Sequence, residues 1–306
     1  MLNRKQKLRL IKVFSLFSII RGYNILLLVV AQYIAALFIF APQLSTREIL
    51  FDINLLMLVL ASAMAIAGGY AINSFYDSEK DLINRPTRTM IDRLVSQRTK
   101  LSVYFVFNLL SVLFASYASF RAVVFFSLYI FMLWFYSHKV KRFPFISNLL
   151  AAILTVVPFF SVFIYYQNFA LVVFMHAAFL FIVIAMRTML KDLHNLKGDL
   201  AQNYRTVPVL YGEKTAKLLL SLLAVATLAI ALLMLRYFDL GYMRYYFLLS
   251  MVSIVLLITS LWWSKKAWHY AVLQVLLKLM LIIGAFSVAL IDVPLLCARL
   301  GLQFCM

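Results

Sequence analysis

Nine stretches of this chain are apolar over a length that can cross a bilayer, and that count restricts the fold more than any other feature. A membrane-spanning helix needs about 20 predominantly apolar residues. Such runs occur at about 22–41, 50–72, 101–119, 121–137, 146–166, 169–187, 216–235, 244–263 and 270–290. Only a short turn near Ser119–Arg121 divides the third from the fourth. Charged residues make up 13% of the 306, against about 25% in a soluble domain. The expected fold is all-α: a polytopic membrane bundle of nine transmembrane helices, with a cytoplasmic cap over a central cavity. It forms one domain over residues 1–306. No cleavable signal peptide is expected, because no small-residue cleavage site follows the basic N-terminal run. Cys297 and Cys305 make no metal-ligand spacing or disulfide framework and read as incidental thiols.

A formal net charge of +18 would suggest nucleic acid, but its distribution speaks against that partner. With nine spans, the N-terminus and every second loop share one side, and that side collects 23 of the 29 Lys and Arg. The asymmetry follows the positive-inside rule and places the N-terminus in the cytoplasm and the C-terminus on the opposite side. The expected location is the cytoplasmic membrane. Residues 1–20, with Arg4, Lys5, Lys7, Arg9 and Lys12, read as a basic interfacial segment in contact with lipid headgroups.

Only eleven residues are acidic, and seven of them fall in two segments on the cytoplasmic side: Asp77, Glu79, Asp81 and Asp92, then Asp192, Asp199 and Glu213. Topology does not explain this, since acidic residues contribute little to orientation. In "NSFYDSEKDLINRP", Asn73, Asp77 and Asp81 recur every four residues and share one helix face. In "KDLHNLKGDLAQNYRTVPVLYG", Asp192, Asn195 and Asp199 do the same at spacings of three and four. Like charges so placed repel, which calls for a cation. Hard oxygen ligands without His or Cys select magnesium, which completes its shell with water and phosphate. The residues alone point to a site for a magnesium-bound phosphorylated ligand, with a solvated, salt-bridged cap as the alternative.

The two motifs resemble the paired aspartate-rich motifs of the UbiA superfamily of intramembrane prenyltransferases. "WFYSHKVKR" at Trp134–Arg142 and "RGYN" at Arg21–Asn24 are similar to further elements of that family, over roughly residues 15–290. The resemblance implies an enzyme that moves a polyprenyl group from a polyprenyl diphosphate to a lipid-soluble acceptor, with Mg2+ bridging the diphosphate. It further implies active-site loops at 73–100 and 187–215. Asp77, Asp81 and Asp199 would be catalytic, and Asn73, Asp77, Asp81, Asp192, Asn195 and Asp199 would hold metal. Arg85, Lys139, Lys191 and Lys197 would contact the diphosphate; Arg21, Asn24 and Tyr136 would contact the acceptor. The sequence is most similar to the branch that prenylates geranylgeranylglyceryl phosphate, and aromatic quinone precursors are the alternative acceptors.

Two departures stand out. Asn195 replaces an aspartate common in such relatives, keeping an oxygen ligand but losing a charge, and Thr89 replaces a frequent proline. A transporter and a non-catalytic lipid-binding homologue are the competing classes. Intramembrane acidic residues often mark ion paths, but here they gather at one end of the bundle instead of at its midplane.

Overall fold

The computed structural model describes residues 3–84 and 86–300, and among them there is no β-strand. The helices are α1 (Arg4–Ile19), α2 (Gly22–Ala35), α3 (Thr46–Leu50), α4 (Ile53–Tyr76), α5 (Ser78–Asn84), α6 (Pro86–Asp92), α7 (Gln97–Ala118), α8 (Phe120–His138), α9 (Ile146–Tyr166), α10 (Leu171–His194), α11 (Leu196–Ala201), α12 (Val207–Tyr237), α13 (Arg244–Trp263), α14 (Ala267–Ser287) and α15 (Val293–Leu300). Nine helical segments among the described residues are long and apolar enough to cross a membrane: α2 with its continuation to Phe40, α4, α7, α8, α9, α10, α12, α13 and α14. The chain is an integral membrane protein with the expected nine spans.

Several boundaries differ from the sequence expectation. The second span begins later than residue 50 and runs to Tyr76, so Asn73 belongs to its last turn. The seventh, expected at 216–235, lies in a helix that starts at Val207, interrupted at Gly212 by a left-handed conformation (φ 82°). Residues 73–100 and 187–215, expected as loops, are largely helical: α5 and α11 follow their spans after the single residues Asp77 and Asn195, and α6 comes after α5. The third and fourth spans part at Ser119, whose extended backbone (φ −174°) ends α7 while its hydroxyl accepts the Ala122 N–H and starts α8.

Small residues bring α4 into the middle of the bundle. Ala61, Ala65 and Ala71 are fully buried, and at Gly68 a Cβ would collide with Asn108 of α7. A larger residue there would displace the Asn108 amide, and small residues favour such close approach of membrane helices. Ser111 of α7 donates to the Ala61 carbonyl at 2.8 Å.

Pro158, within α9, has no N–H, so the carbonyl one turn earlier loses its helical partner. The Tyr129 hydroxyl of α8 donates to that carbonyl, Leu154 O, at 2.8 Å. The other half of the bundle packs α10, α12, α13 and α14 around Met186, Leu190, Leu220, Phe247 and Leu257.

At the far end, Arg299 of α15 donates to Leu37 O (3.1 Å), Pro42 O (3.2 Å), Leu44 O (3.0 Å) and Thr46 Oγ1 (3.1 Å). The reading of two incidental thiols is corrected at Cys297, which is disulfide-bonded; Cys305 lies outside the described residues.

Candidate active site

Both acidic motifs are built on the same joint. α4 ends at Asp77 (φ −93°, ψ 5°) and α10 ends at Asn195 (φ −92°, ψ 9°). The backbone bonds of helical spacing continue across each joint: Asp77 N–H to Asn73 O and Asp81 N–H to Asp77 O, then Asn195 N–H to Lys191 O and Asp199 N–H to Asn195 O. Each motif is thus a bent continuation of its span, and the bend divides residues that the spacing placed on one face. Asn73 and Asp77 line the main cavity, whereas Asp81 turns to a small neighbouring pocket beside Arg21, Asn73 and Asp92.

The main cavity, about 190 Å³, is charged at the top and apolar below. Arg21, Lys80, Lys141 and Lys191 supply four cations to its wall, with Asp77 and Asp192 as carboxylates; Ile66, Leu133 and Leu154 form part of its floor. Of the expected residues it gathers Arg21, Asn73, Asp77, Tyr136, Lys191 and Asp192.

Lys139 and Lys197, expected on the diphosphate, are instead exposed to solvent and do not line the cavity. Asn24 reaches it indirectly, through a 3.3 Å bond to the Tyr70 hydroxyl. Arg85 lies outside the described residues. Asn195 and Asp199 are buried but do not face the cavity directly, and no group of three or more acidic, His or Cys side chains converges among the described residues.

Lysines hold the carboxylates in place. Lys141 Nζ is 2.7 Å from Asp77 Oδ1, and the Tyr204 hydroxyl donates to the same oxygen at 3.1 Å. Burial pushes the Asp77 carboxyl up, but the Lys141 and Lys80 ammonium groups outweigh it and hold the group below the usual carboxylate range. Lys80 Nζ is 2.5 Å from Asp199 Oδ1 and lies over the Tyr204 ring. For Asp199 burial prevails, and its carboxyl is raised despite Lys80. Burial, with Asp77 adding to it, raises the Tyr204 phenol. Asp192 accepts from Asn148 Nδ2 at 2.7 Å.

The two motifs also touch directly. Asn84 Oδ1 accepts the Gly198 N–H at 3.1 Å, and a Cβ at Gly198 would strike the Asn84 amide. Lys80 and Asn84, one turn apart on α5, therefore dock α5 onto Gly198 and Asp199 of α11.

Reading the sequence missed Lys80, Lys141, Asn84, Asn148 and Tyr204. Lys80 follows Asp77 by three residues and is overshadowed by the carboxylates around it, and Lys141 sits in a 3-10 turn (Val140–Arg142), where helical periodicity gives no register. Asn84 has a signal in the sequence, since it opens the "NRP" that closes the first motif.

The donor set suits a hard divalent cation. Carboxylate and amide oxygens are its preferred ligands, Asn195 Oδ1 is buried without a hydrogen-bond partner, and the lysine ammonium groups on Asp77 and Asp199 already show those oxygens in contact with positive charge.

Nine apolar helices among the described residues, with a cavity that is cation-rich at one end and apolar at its floor, define an intramembrane protein. Residues 28–282 match the UbiA prenyltransferase family, and the chain belongs to that family and is a prenyltransferase. It is 28% identical over 258 residues to the digeranylgeranylglyceryl phosphate synthase of Methanobrevibacter smithii, covering 79% of this chain and 83% of that protein. The Pyrococcus furiosus protein of the same name is 26% identical over 219 residues, 71% and 76% of the two chains. Among solved structures, a UbiA homologue from Archaeoglobus fulgidus bound to GPP and Mg2+ superposes with a TM-score of 0.67 at 16% identity, covering 90% of this chain and 99% of that one. This likeness shows the shared fold.

Proposed function

We propose that the protein transfers a polyprenyl group from a polyprenyl diphosphate, in a magnesium-dependent reaction, to a phosphorylated glyceryl lipid of the geranylgeranylglyceryl phosphate kind. The carrying observation is the convergence of Lys80, Lys141, Lys191 and Arg21 with Asp77 and Asp192 on a cavity whose floor is apolar. The names of the relatives support the glyceryl phosphate acceptor over an aromatic one.

Asn73, Asp77 and Asp192, the candidate ligands that line the cavity, would hold magnesium, which would supply Lewis-acid neutralisation of the diphosphate; Asp81 faces the neighbouring pocket, and Asn195 and Asp199 stand behind the cavity wall. Lys80, Lys141 and Lys191 bind the remaining phosphate charge, in place of the exposed Lys139 and Lys197. The allylic C–O bond breaks with its electron pair on the departing diphosphate. The acceptor hydroxyl bonds to the allylic carbon, and its proton passes to that diphosphate. Tyr136, Leu133 and Ile66 keep water from the developing cation. Arg21, with Asn24 behind Tyr70, attracts the acceptor phosphate. The cavity end and the N-terminus face the cytoplasm, an orientation supported by the excess of basic residues at that end.

The test is diphosphate release by detergent-purified protein from geranylgeranyl diphosphate, with geranylgeranylglyceryl phosphate or 4-hydroxybenzoate, with magnesium or with a chelator. Release that needs both magnesium and the glyceryl phosphate supports the reading. Release only with the aromatic acceptor would replace it.

A further inference from the structure

The turn between α13 and α14 carries a groove that shares no residue with the active-site cavity. It measures about 450 Å³, and its lining includes Thr259, Trp263, Trp268, Val272 and Leu273. Trp263 comes from α13 and Trp268 from α14, and they are 84% and 60% exposed.

Buried bonds hold the turn from behind. Lys217 Nζ donates to Ser264 O at 2.6 Å and pairs with Glu213 at 2.8 Å. The Tyr270 hydroxyl also reaches Glu213 and Ser264 O. His194 Nδ1, at the end of α10, donates to Ala267 O at 2.9 Å, which places the turn at the active-site end of the bundle. His269 Nδ1 accepts the Lys265 N–H at 3.3 Å.

The backbone of the turn is thus fixed, while the side chains on it are free. Lys265 and Lys266 are exposed, and among the described residues neither makes an ion pair. Glu213, the carboxylate just behind the turn, is already engaged by Lys217 and Tyr270. The indole N–H groups of Trp263 and Trp268 make no hydrogen bond among the described residues, whereas that of Trp262 donates to Ser221 Oγ at 3.2 Å.

Tryptophan is common where a membrane helix meets the headgroups, and that accounts for an indole at this level. It does not account for two indoles lining one groove beside two unpaired ammonium groups. From Trp268 to Leu273 the groove descends five residues, about 7–8 Å of helix, about the thickness of one headgroup layer. Its upper end is cationic and its lower end apolar.

We propose that this groove is a binding site for an anionic membrane phospholipid. Lys265 and Lys266 hold the phosphate, and the first acyl methylenes lie between Trp263 and Trp268 over Val272 and Leu273. A zwitterionic lipid brings a cation of its own, which the two lysines repel; free phosphate has no chain for the apolar walls. The site is independent of the prenyl-transfer reading.

Three of the four tryptophans, Trp262, Trp263 and Trp268, lie at this turn, so their fluorescence reports on it. The full-length protein is reconstituted in phosphatidylcholine vesicles, and quenching by dibrominated phosphatidylglycerol is compared with quenching by dibrominated phosphatidylcholine. The parent should favour the anionic lipid about thirtyfold, from about fivefold for each lysine. Lys265→Gln/Lys266→Gln should bring the ratio close to one, and Lys139→Gln/Lys197→Gln, which removes two exposed lysines, should leave it unchanged. Val272→Phe fills the groove without altering charge and should also lower the ratio. A parent ratio near one overturns the proposal, because only ordinary interfacial placement of tryptophan is then left. An equal loss in the two double variants overturns it in favour of diffuse surface charge, and a parent-like ratio in Val272→Phe places the lipid elsewhere. Displacement of the brominated lipid by geranylgeranylglyceryl phosphate at far lower concentration than by unlabelled phosphatidylglycerol would make the groove a substrate site instead.

Discussion

Replacing Lys141 with methionine keeps the aliphatic stem and deletes the charge that faces Asp77. The pair is almost out of water, with side-chain exposures of 6% for Lys141 and 10% for Asp77. Breaking a buried pair by removing one partner costs about 3–5 kcal/mol, because the remaining charge is left uncompensated. Protonation offers an escape. A carboxyl with an ordinary value of 3.8 can be neutralised at pH 7 for about 4 kcal/mol, at about 1.36 kcal/mol per unit. The Tyr204 hydroxyl still donates to Asp77 and reduces the loss further. The expected destabilisation is therefore about 3–4 kcal/mol. At about 2–4 °C per kcal/mol for a chain of a few hundred residues, the midpoint falls by about 10 °C. The assay is thermal unfolding of the detergent-solubilised protein at neutral pH without divalent metal, beside the exposed control Lys139→Met and the double variant Asp77→Asn/Lys141→Met. The double variant should recover more than half of the loss, since residue 77 no longer carries a carboxylate. If Lys141→Met melts with Lys139→Met, or the double variant melts below the single, the ion pair does not carry the stability assigned to it.

Asp77 and Asp199 should affect acid stability in opposite senses. The folded-state value of Asp77 is lowered, so its stabilisation is complete above the ordinary carboxylate range and lost as pH falls through the lowered value; Asp199 is raised, so its stabilisation is complete at low pH and lost as pH rises through the raised value. In metal-free buffer, Asp77→Asn should therefore flatten the acid limb of the Tm–pH curve, and Asp199→Asn should gain on the parent toward neutral pH; shifts of the same sign would contradict this. Tyr129→Phe leaves the Leu154 carbonyl opposite Pro158 without its donor and should cost about 1–3 kcal/mol, measured by the same thermal assay. Gly198→Ala drives a methyl into the Asn84 amide and separates α5 from α11, so diphosphate release should fall well below parent while the protein remains folded by circular dichroism.

The membrane class and the number of spans were legible because apolar length is a one-dimensional property, readable without knowing any contact. Helix ends were less so. Asn73 extends its span because a membrane helix continues through polar residues once they face an internal cavity. The spacing of Asn73, Asp77 and Asp81 correctly indicated continuous helical hydrogen bonding, yet a change of a few tens of degrees at Asp77 sends Asp81 to a different pocket. No sequence period encodes that bend. That Lys141 and not Lys139 lines the cavity was illegible for a related reason: beyond His138 the chain enters a tight turn, and which of two nearby lysines points inward depends on the turn and not on a repeat. Lys80 is hidden by the carboxylates on either side of it, although it and Asn84, one turn on, are what dock the second motif.

The four acceptors of Arg299 belong to the end of the first span and the turn that follows it, 253 to 262 residues earlier in the chain. If the spans enter the membrane in the order of their synthesis, those carbonyls wait, without their guanidinium, through the making of every helix between. The first span is therefore among the earliest to be inserted and among the last to be finished, and the clasp acts as a check on completeness. A chain that stalls before α15 leaves the Leu37, Pro42 and Leu44 carbonyls without the guanidinium that closes them.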